Sequence, residues 1–218
     1  MAFESYLSPE ELQLLESHKQ VVQLKKGKLL FSEGHPPQGV HLLVSGKIKL
    51  FTTDAQGREQ IIHLAKPSDL MGYRAVLGSD SYSCSAAALE AAEIWLIPKA
   101  VFLSVLETNA AFSHAVIRLL TAELRHAEHH LAGLARKPVK SRLAEALLLL
   151  ADTYGFESDG KTLAVSLTRE EMAGLVGTAT ETAIRLLQSL KEEGLVATSG
   201  RHIRLLDMAA LRHCSENA

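Results

Sequence analysis

Glu181 and Arg185 stand four residues apart, so on a helix both side chains point the same way. A carboxylate accepts from cytosine N4, and a guanidinium donates twice to guanine O6 and N7. Together they can read one G·C region from both strands. Ile184, apolar between two charges, is suited to a thymine methyl, and Thr180 and Gln188 extend the same polar face. The alternative is an ordinary surface ion pair with spacing i, i+4.

What must position such a face is legible around it. Thr168 and Glu171 form a Thr-x-x-Glu capping box, the signature of a helix start. Met172, Leu175 and Val176 follow as apolar positions. Gly177 ends this helix, because glycine accepts the left-handed backbone of a tight turn. Thr178 and Glu181 read as a second capping box, and Ala183, Leu187 and Leu190 predict the buried stripe of the second helix. Two short helices joined at a glycine make a helix-turn-helix. Gly194 ends the second helix. Leu195-Val196-Ala197 and Ile203-Arg204-Leu205-Leu206 read as two strands of a wing turning at Ser199-Gly200. Arg201 and His202, at or beside the tip, are placed either to meet phosphate or to stand in solvent.

Composition bounds the rest. The chain has 218 residues, 47% apolar and 22% charged, as expected of a packed core. No apolar run approaches the roughly 20 residues that span a bilayer. The acidic N-terminal stretch lacks an export-signal profile, which leads to the expectation of a cytoplasmic protein without membrane partners. Two cysteines, Cys84 and Cys214, exclude a disulfide framework and a four-cysteine metal site within one chain. The net charge is −2, and from Leu167 onward six Lys/Arg face seven Asp/Glu. Phosphate contacts supply most nucleic-acid affinity, so a source of cations is needed. Arg136, Lys137, Lys140 and Arg142, just upstream, form a basic cluster for that role or a solvated hinge.

Upstream, Ser8, Pro9 and Glu11 start a short amphipathic helix. From Val21 to about Pro98, short apolar runs alternate with turn residues, which predicts a β-sandwich or barrel. Pro98 opens a helix from Lys99 to about Leu106, and a long helix runs from Ala110 to about Lys137. Within it Ser113, Ile117, Leu120, Leu124, Ala127, Leu131 and Leu134 alternate spacings of four and three. That 3.5-residue period suits a partner helix; packing on the chain's own strands is the alternative. The predicted class is α+β: a β-roll (jelly-roll) sensor domain over 1–109, a dimerisation helix over 110–137, and a winged helix-turn-helix over 138–218.

The chain resembles the cyclic-AMP receptor protein and fumarate–nitrate regulator (CRP/FNR) family of bacterial transcription factors over nearly its whole length. Arg169, Glu171, Val176-Gly177, Glu181-Thr182 and Arg185 carry the likeness in the helix-turn-helix. Lys25-Lys26-Gly27, Glu33-Gly34, Val44-x-Gly46 and Gly57-Arg58-Glu59 carry it in the β-roll. The resemblance implies a homodimer on a palindromic operator in double-stranded DNA, and contact with RNA polymerase. It implies base contacts by Glu181 and Arg185, with Arg169 and Thr182 near phosphates. The loop Asp152 to Lys161 lies where family activators touch polymerase. Thr180 stands where cyclic-AMP-dependent members often carry arginine.

The effector segment departs from the family. Gly72-Tyr73-Arg74 stands where nucleotide binders usually carry Gly-Glu, and Tyr82-Ser83-Cys84-Ser85 where they carry Arg-Ser. The hydroxyl pair expected on the long helix reads Ala127-Glu128, and that extra carboxylate repels an anionic nucleotide. The reading is therefore against cyclic AMP, although Arg74 offers an anion site from another position. No cofactor or metal is expected. Haem through His63, His126, His129 or His130, a metal at His126 and His130 beside Glu123, and another small effector stay open, against the plainer reading of solvated histidines. Cys84 reads either as a redox switch or as a buried structural thiol. The competing function is a β-roll ligand-binding or enzymatic module with a non-functional DNA domain. Ser83, Cys84 and His63 are its only candidate catalytic groups, and none sits in a catalytic motif.

Overall fold

The computed structural model describes the backbone of residues 3–78 and 80–216, and their side chains except those of residues 3, 4, 130, 134 and 135. His130 and Leu134, named above as a ligand and a seam residue, lie outside the described side chains.

A single turn of 3-10 helix, Phe3–Tyr6, leads into α1 (Pro9–His18). The Ser8 hydroxyl accepts from the Glu11 N–H at 3.2 Å, and the Glu11 carboxylate accepts from the Ser8 N–H at 2.8 Å, so the expected capping box forms. The strands follow: β1 (Gln20–Leu24), β2 (Leu29–Phe31), β3 (Gly39–Ser45), β4 (Ile48–Thr53), β5 (Glu59–Ala65) and β6 (Leu70–Met71). Then come a short helix α2 (Tyr73–Gly78), β7 (Ser85–Ala88), β8 (Ala92–Pro98), α3 (Lys99–Thr108) and the 27-residue α4 (Ala110–Arg136). The C-terminal elements are α5 (Val139–Tyr154), α6 (Arg169–Val176), α7 (Thr180–Glu192), β9 (Val196–Ser199), β10 (His202–Leu205) and α8 (Met208–Glu216).

Two four-stranded sheets, ordered β1-β8-β3-β6 and β2-β7-β4-β5, make the β-roll. Between them lies a core that includes Phe31, Leu43, Ile48, Leu50, Met71 and Ile94. The outer face of the first sheet packs on helices through Val40, Leu42, Ile97, Phe102, Phe112 and Val116. β3 is thus covered on both faces, which explains why it reads as a continuous apolar run and not as an alternation. The chain divides into two compact units: residues 1–52 with 62–126, and residues 53–61 with 127–218. In the second unit α8 packs along α5, and Leu143, Leu147, Leu150, Met172, Leu187, Leu190 and Leu211 are buried.

His41 is the exception to the apolar run of β3. It is buried beside the stacked pair Phe31 and Tyr82, whose centroids are 4.1 Å apart, and its Nδ1 has no hydrogen-bond partner among the described residues. Burial pushes its pKa down to about 4. In the unfolded chain the ring protonates near the ordinary value of about 6.5. The unfolded state therefore binds the extra proton between these values. Stability is whole above about pH 6.5 and falls as pH drops toward 4, by roughly 3 kcal/mol at the acid end. Urea unfolding midpoints measured across this window should show that decline in the wild type and lose it in His41→Phe.

Candidate functional site

α6 is fixed at both ends. At its start, the Thr168 hydroxyl accepts from the Glu171 N–H at 3.0 Å, and the Glu171 carboxylate accepts from the Thr168 N–H at 2.8 Å. At its end Gly177 adopts the left-handed conformation, φ 71°, ψ 52°. The Gly177 and Thr178 N–H groups both donate to the Ala173 carbonyl, at 2.9 and 3.1 Å. The second capping box does not form. Thr178 is drawn into the turn, Ala179 takes the N-cap position, and no side chain caps α7.

The rotation of α7 is set by Ala183, Leu187 and Leu190, all buried as their spacing predicts. The opposite face then exposes Glu181, Ile184, Arg185 and Gln188, while Thr178, Thr180 and Thr182 are half-buried. Ile184 keeps 46% of its surface exposed, a solvation cost on an otherwise polar face. Among the described residues no ion pair or hydrogen bond joins Glu181 to Arg185, so the surface-pair alternative is not formed. Gln188 Nε2 donates to the Glu192 carboxylate at 3.0 Å.

β9 and β10 pair around a turn at Gly200, forming the wing. Arg169, at the first position of α6, donates through Nη2 to the Gly200 carbonyl at 3.0 Å, which ties helix to wing. Its Nη1 is buried and has no partner among the described residues. Arg201 is exposed at the tip, whereas His202 Nδ1 lies 3.4 Å from the Glu157 carboxylate.

The upstream basic cluster is largely spent inside the unit. Lys137 pairs with Glu145 at 2.9 Å, Lys140 with Glu193 at 2.5 Å, and Arg142 Nη1 donates to the carbonyls of Val176 and Gly177. Arg136 is exposed.

In the β-roll the segment after β6 brings some of the expected pocket residues together. An ideal Cβ at Gly72 would stand 3.0 Å from the Tyr82 ring and 3.3 Å from His41 Nδ1, so these two side chains close here on a glycine at φ 77°. Tyr73 is buried and its hydroxyl has no hydrogen-bond partner among the described residues; burial and the Glu123 carboxylate push its pKa up. Arg74 Nε lies 3.6 Å from Glu123 on α4. Cys84 is buried and burial raises its thiol pKa, against a smaller opposite influence from Arg74. That is the setting of an inert thiol.

Ser83, Ala127 and Glu128 do not join this group; all three are exposed. The carboxylate expected from Glu128 is supplied instead by Glu123. The reason is the inward stripe of α4, Phe112, Val116 and Leu119, which reaches Glu123 at spacings of four, three and four and leaves Glu128 on another face. Extending that stripe by one step was the available signal. His63, His126 and His129 are exposed, and the described residues contain no cluster of three or more His, Cys, Asp or Glu placed to hold a metal.

Along α4, Ile117, Leu124 and Leu131 are 57%, 61% and 66% exposed, Ala127 is exposed and Leu120 half-buried. No single described helix is long and apolar enough to cross a membrane.

A jelly-roll followed by a winged helix-turn-helix defines the architecture of a sensor-linked transcription factor. Residues 21–109 match the cyclic nucleotide-binding domain model, and residues 141–214 the Crp-like helix-turn-helix domain. The Cyclic AMP receptor protein of Thermus thermophilus is 31% identical over 205 residues, covering 94% of this chain and 92% of that protein. The Transcriptional activator protein anr of Pseudomonas aeruginosa is 30% identical over 191 residues, covering 86% and 77%. FixK2 of Bradyrhizobium japonicum shares the fold, with a TM-score of 0.82 at 23% identity over 92% of this chain and 98% of that one. The chain belongs to the CRP/FNR family of transcriptional regulators, and its C-terminal part carries that family's helix-turn-helix DNA-binding domain.

The turn between α6 and α7 gives a direct test of this geometry. A Cβ in the left-handed region costs roughly 1–2 kcal/mol, so Gly177→Ala should lower stability by about that amount in thermal unfolding, and Gly177→Asn by less.

Proposed function

We propose that this regulator works as a homodimer that reads a palindromic operator, with one α7 in each of two successive major grooves. The carrying observation is the exposed face of α7, on which Glu181 and Arg185 are unpaired among the described residues and Ile184 stands between them. Half-sites are then about 34 Å apart, one helical turn. Arg201 and the exposed Arg136 are candidate cations to meet phosphate, with Arg169 and the threonines Thr178, Thr180 and Thr182 at the edge of the footprint.

The exposed rungs Ile117, Leu124 and Leu131 support pairing through α4, with Ala127 beside them. They recur every seven residues, which is one side of a coiled-coil seam. The loop from Asp152 to Lys161 is the proposed contact for RNA polymerase, and the cytoplasm the proposed location.

Cyclic AMP is not the proposed signal, although the Thermus relative is named for it. An anionic nucleotide needs a free cation in its pocket. Here Arg74 already faces Glu123, and that half-buried carboxylate would repel a phosphate. The second reading, a β-roll ligand module with an inert DNA domain, leaves the open face of α7 without a use.

Selection of bound sequences from a random DNA pool, by purified protein without ligand, tests the proposal. A palindromic motif supports it. No motif, with or without cell extract, would overturn it. Arg185→Ala should cost roughly 1–3 kcal/mol on the selected operator and relax the preference at one G·C pair. A base-substitution binding series reads this directly. Leu124→Asp should shift the sedimentation mass toward one chain and weaken operator binding. Cyclic AMP should leave the operator Kd unchanged.

A further inference from the structure

We infer that Arg142, which lies outside the reading helix, sets the pose of that helix by clamping the turn from which it starts. The inference rests on the reading of α7 as the base-contacting element.

Arg142 sits on α5, half-buried, and its Nη1 donates to two carbonyls on the neighbouring helix end: Val176 at 2.9 Å and Gly177 at 3.3 Å. Val176 is the last residue of α6. Its carbonyl is one of those a helix end leaves without an internal donor, at the negative pole of the helix dipole. A guanidinium is a fixed positive charge, and charge-assisted bonds to it are stronger than neutral ones. Gly177 is the left-handed residue at which the chain changes direction. Only Thr178 and Ala179 separate it from the first residue of α7. A rotation of α7 about this turn therefore strains or breaks the Arg142 bonds.

Two further observations make this contact matter. α7 has no side-chain N-cap, so it lacks the local device that ordinarily fixes a helix start. The Nε of Arg142 is buried without a hydrogen-bond partner among the described residues. Its desolvation is unrepaid on that side, which leaves the two carbonyl bonds as what holds the side chain in place. Arg169 acts at the other end of α6, where it binds the wing carbonyl of Gly200. The first helix of the motif is thus held by one arginine at each end. Arg142 is a positioning residue, and its fork is turned inward instead of toward a phosphate.

The test uses the full chain and the operator selected by the wild type. Operator affinity is measured across a salt series, and amide hydrogen exchange is followed over residues 178–183, for wild type, Arg142→Met and Arg142→Lys. Arg142→Met keeps the apolar stem and loses the donors. It should bind roughly tenfold to a hundredfold more weakly, the equivalent of a charge-assisted hydrogen bond. It should also discriminate less between the operator and base-substituted sites, keep the wild-type salt slope and exchange the turn amides faster. Arg142→Lys, which keeps charge and a donor, should recover part of each effect. It is also the variant to read if Arg142→Met does not fold.

A salt slope reduced by about one, with exchange and discrimination unchanged, would make Arg142 a phosphate contact and overturn the inference. Wild-type affinity and exchange in both variants would overturn it too. If the wild type selects no operator while the turn amides of Arg142→Met still exchange faster, the clamp stands and the base-reading role of α7 falls.

Discussion

The use of the C-terminal part depends on one small set of contacts, the burial of Ala183, Leu187 and Leu190 along a single stripe of α7. Three side chains at spacings of four and three leave one rotation of the helix at low cost. Turning it by one residue would bury Glu181 or Arg185 and expose a leucine, and burying an unpaired charge costs several kcal/mol. Everything on the opposite face follows from that choice. Glu181, Ile184, Arg185 and Gln188 are outside because nothing else fits inside.

The two units solve different problems with the same chemistry. In the β-roll, β3 is covered on both faces, so it is almost continuously apolar and a polar residue within it must do without solvent. His41 is the result: a ring held neutral by its surroundings. In the C-terminal unit two half-buried arginines are each held by backbone carbonyls. Arg142 meets the end of a helix and Arg169 meets a turn. Carbonyl partners suit arginine there, because a helix end and a tight turn both leave acceptors without a backbone donor.

Local signals were legible in the sequence. The Thr168–Glu171 box, the turn at Gly177, the stripe of α7 and the breaks at Pro98 and Pro138 all depend on neighbours within one helical turn, and each is found. Where tertiary context decides, the reading failed. Thr178 has the right type to cap α7, yet its N–H is already committed to Ala173 and the chain starts the helix one residue later. Glu128 was expected in the pocket, but Phe112, Val116 and Leu119 rotate α4 so that Glu123 is there instead. The basic cluster looked available because Glu145, Glu193 and the end of α6 are distant in sequence. The short elements α2 and β6 carry too few residues to show a period. They form because the larger elements leave apolar surface to cover.

The sparse ladder on α4 has a consequence for dosage. Ile117, Leu124 and Leu131 offer three exposed large apolar rungs in fifteen residues, with half-buried Leu120 and exposed Ala127 between them on the seam. A seam resting mainly on these rungs is proposed to support only moderate association. For a weakly paired regulator, the concentration of the active species rises with the square of chain abundance. A twofold change in synthesis then becomes roughly a fourfold change in paired protein, by mass action alone. For the proposed homodimer, the copy number of the chain becomes an input in its own right, beside any small molecule.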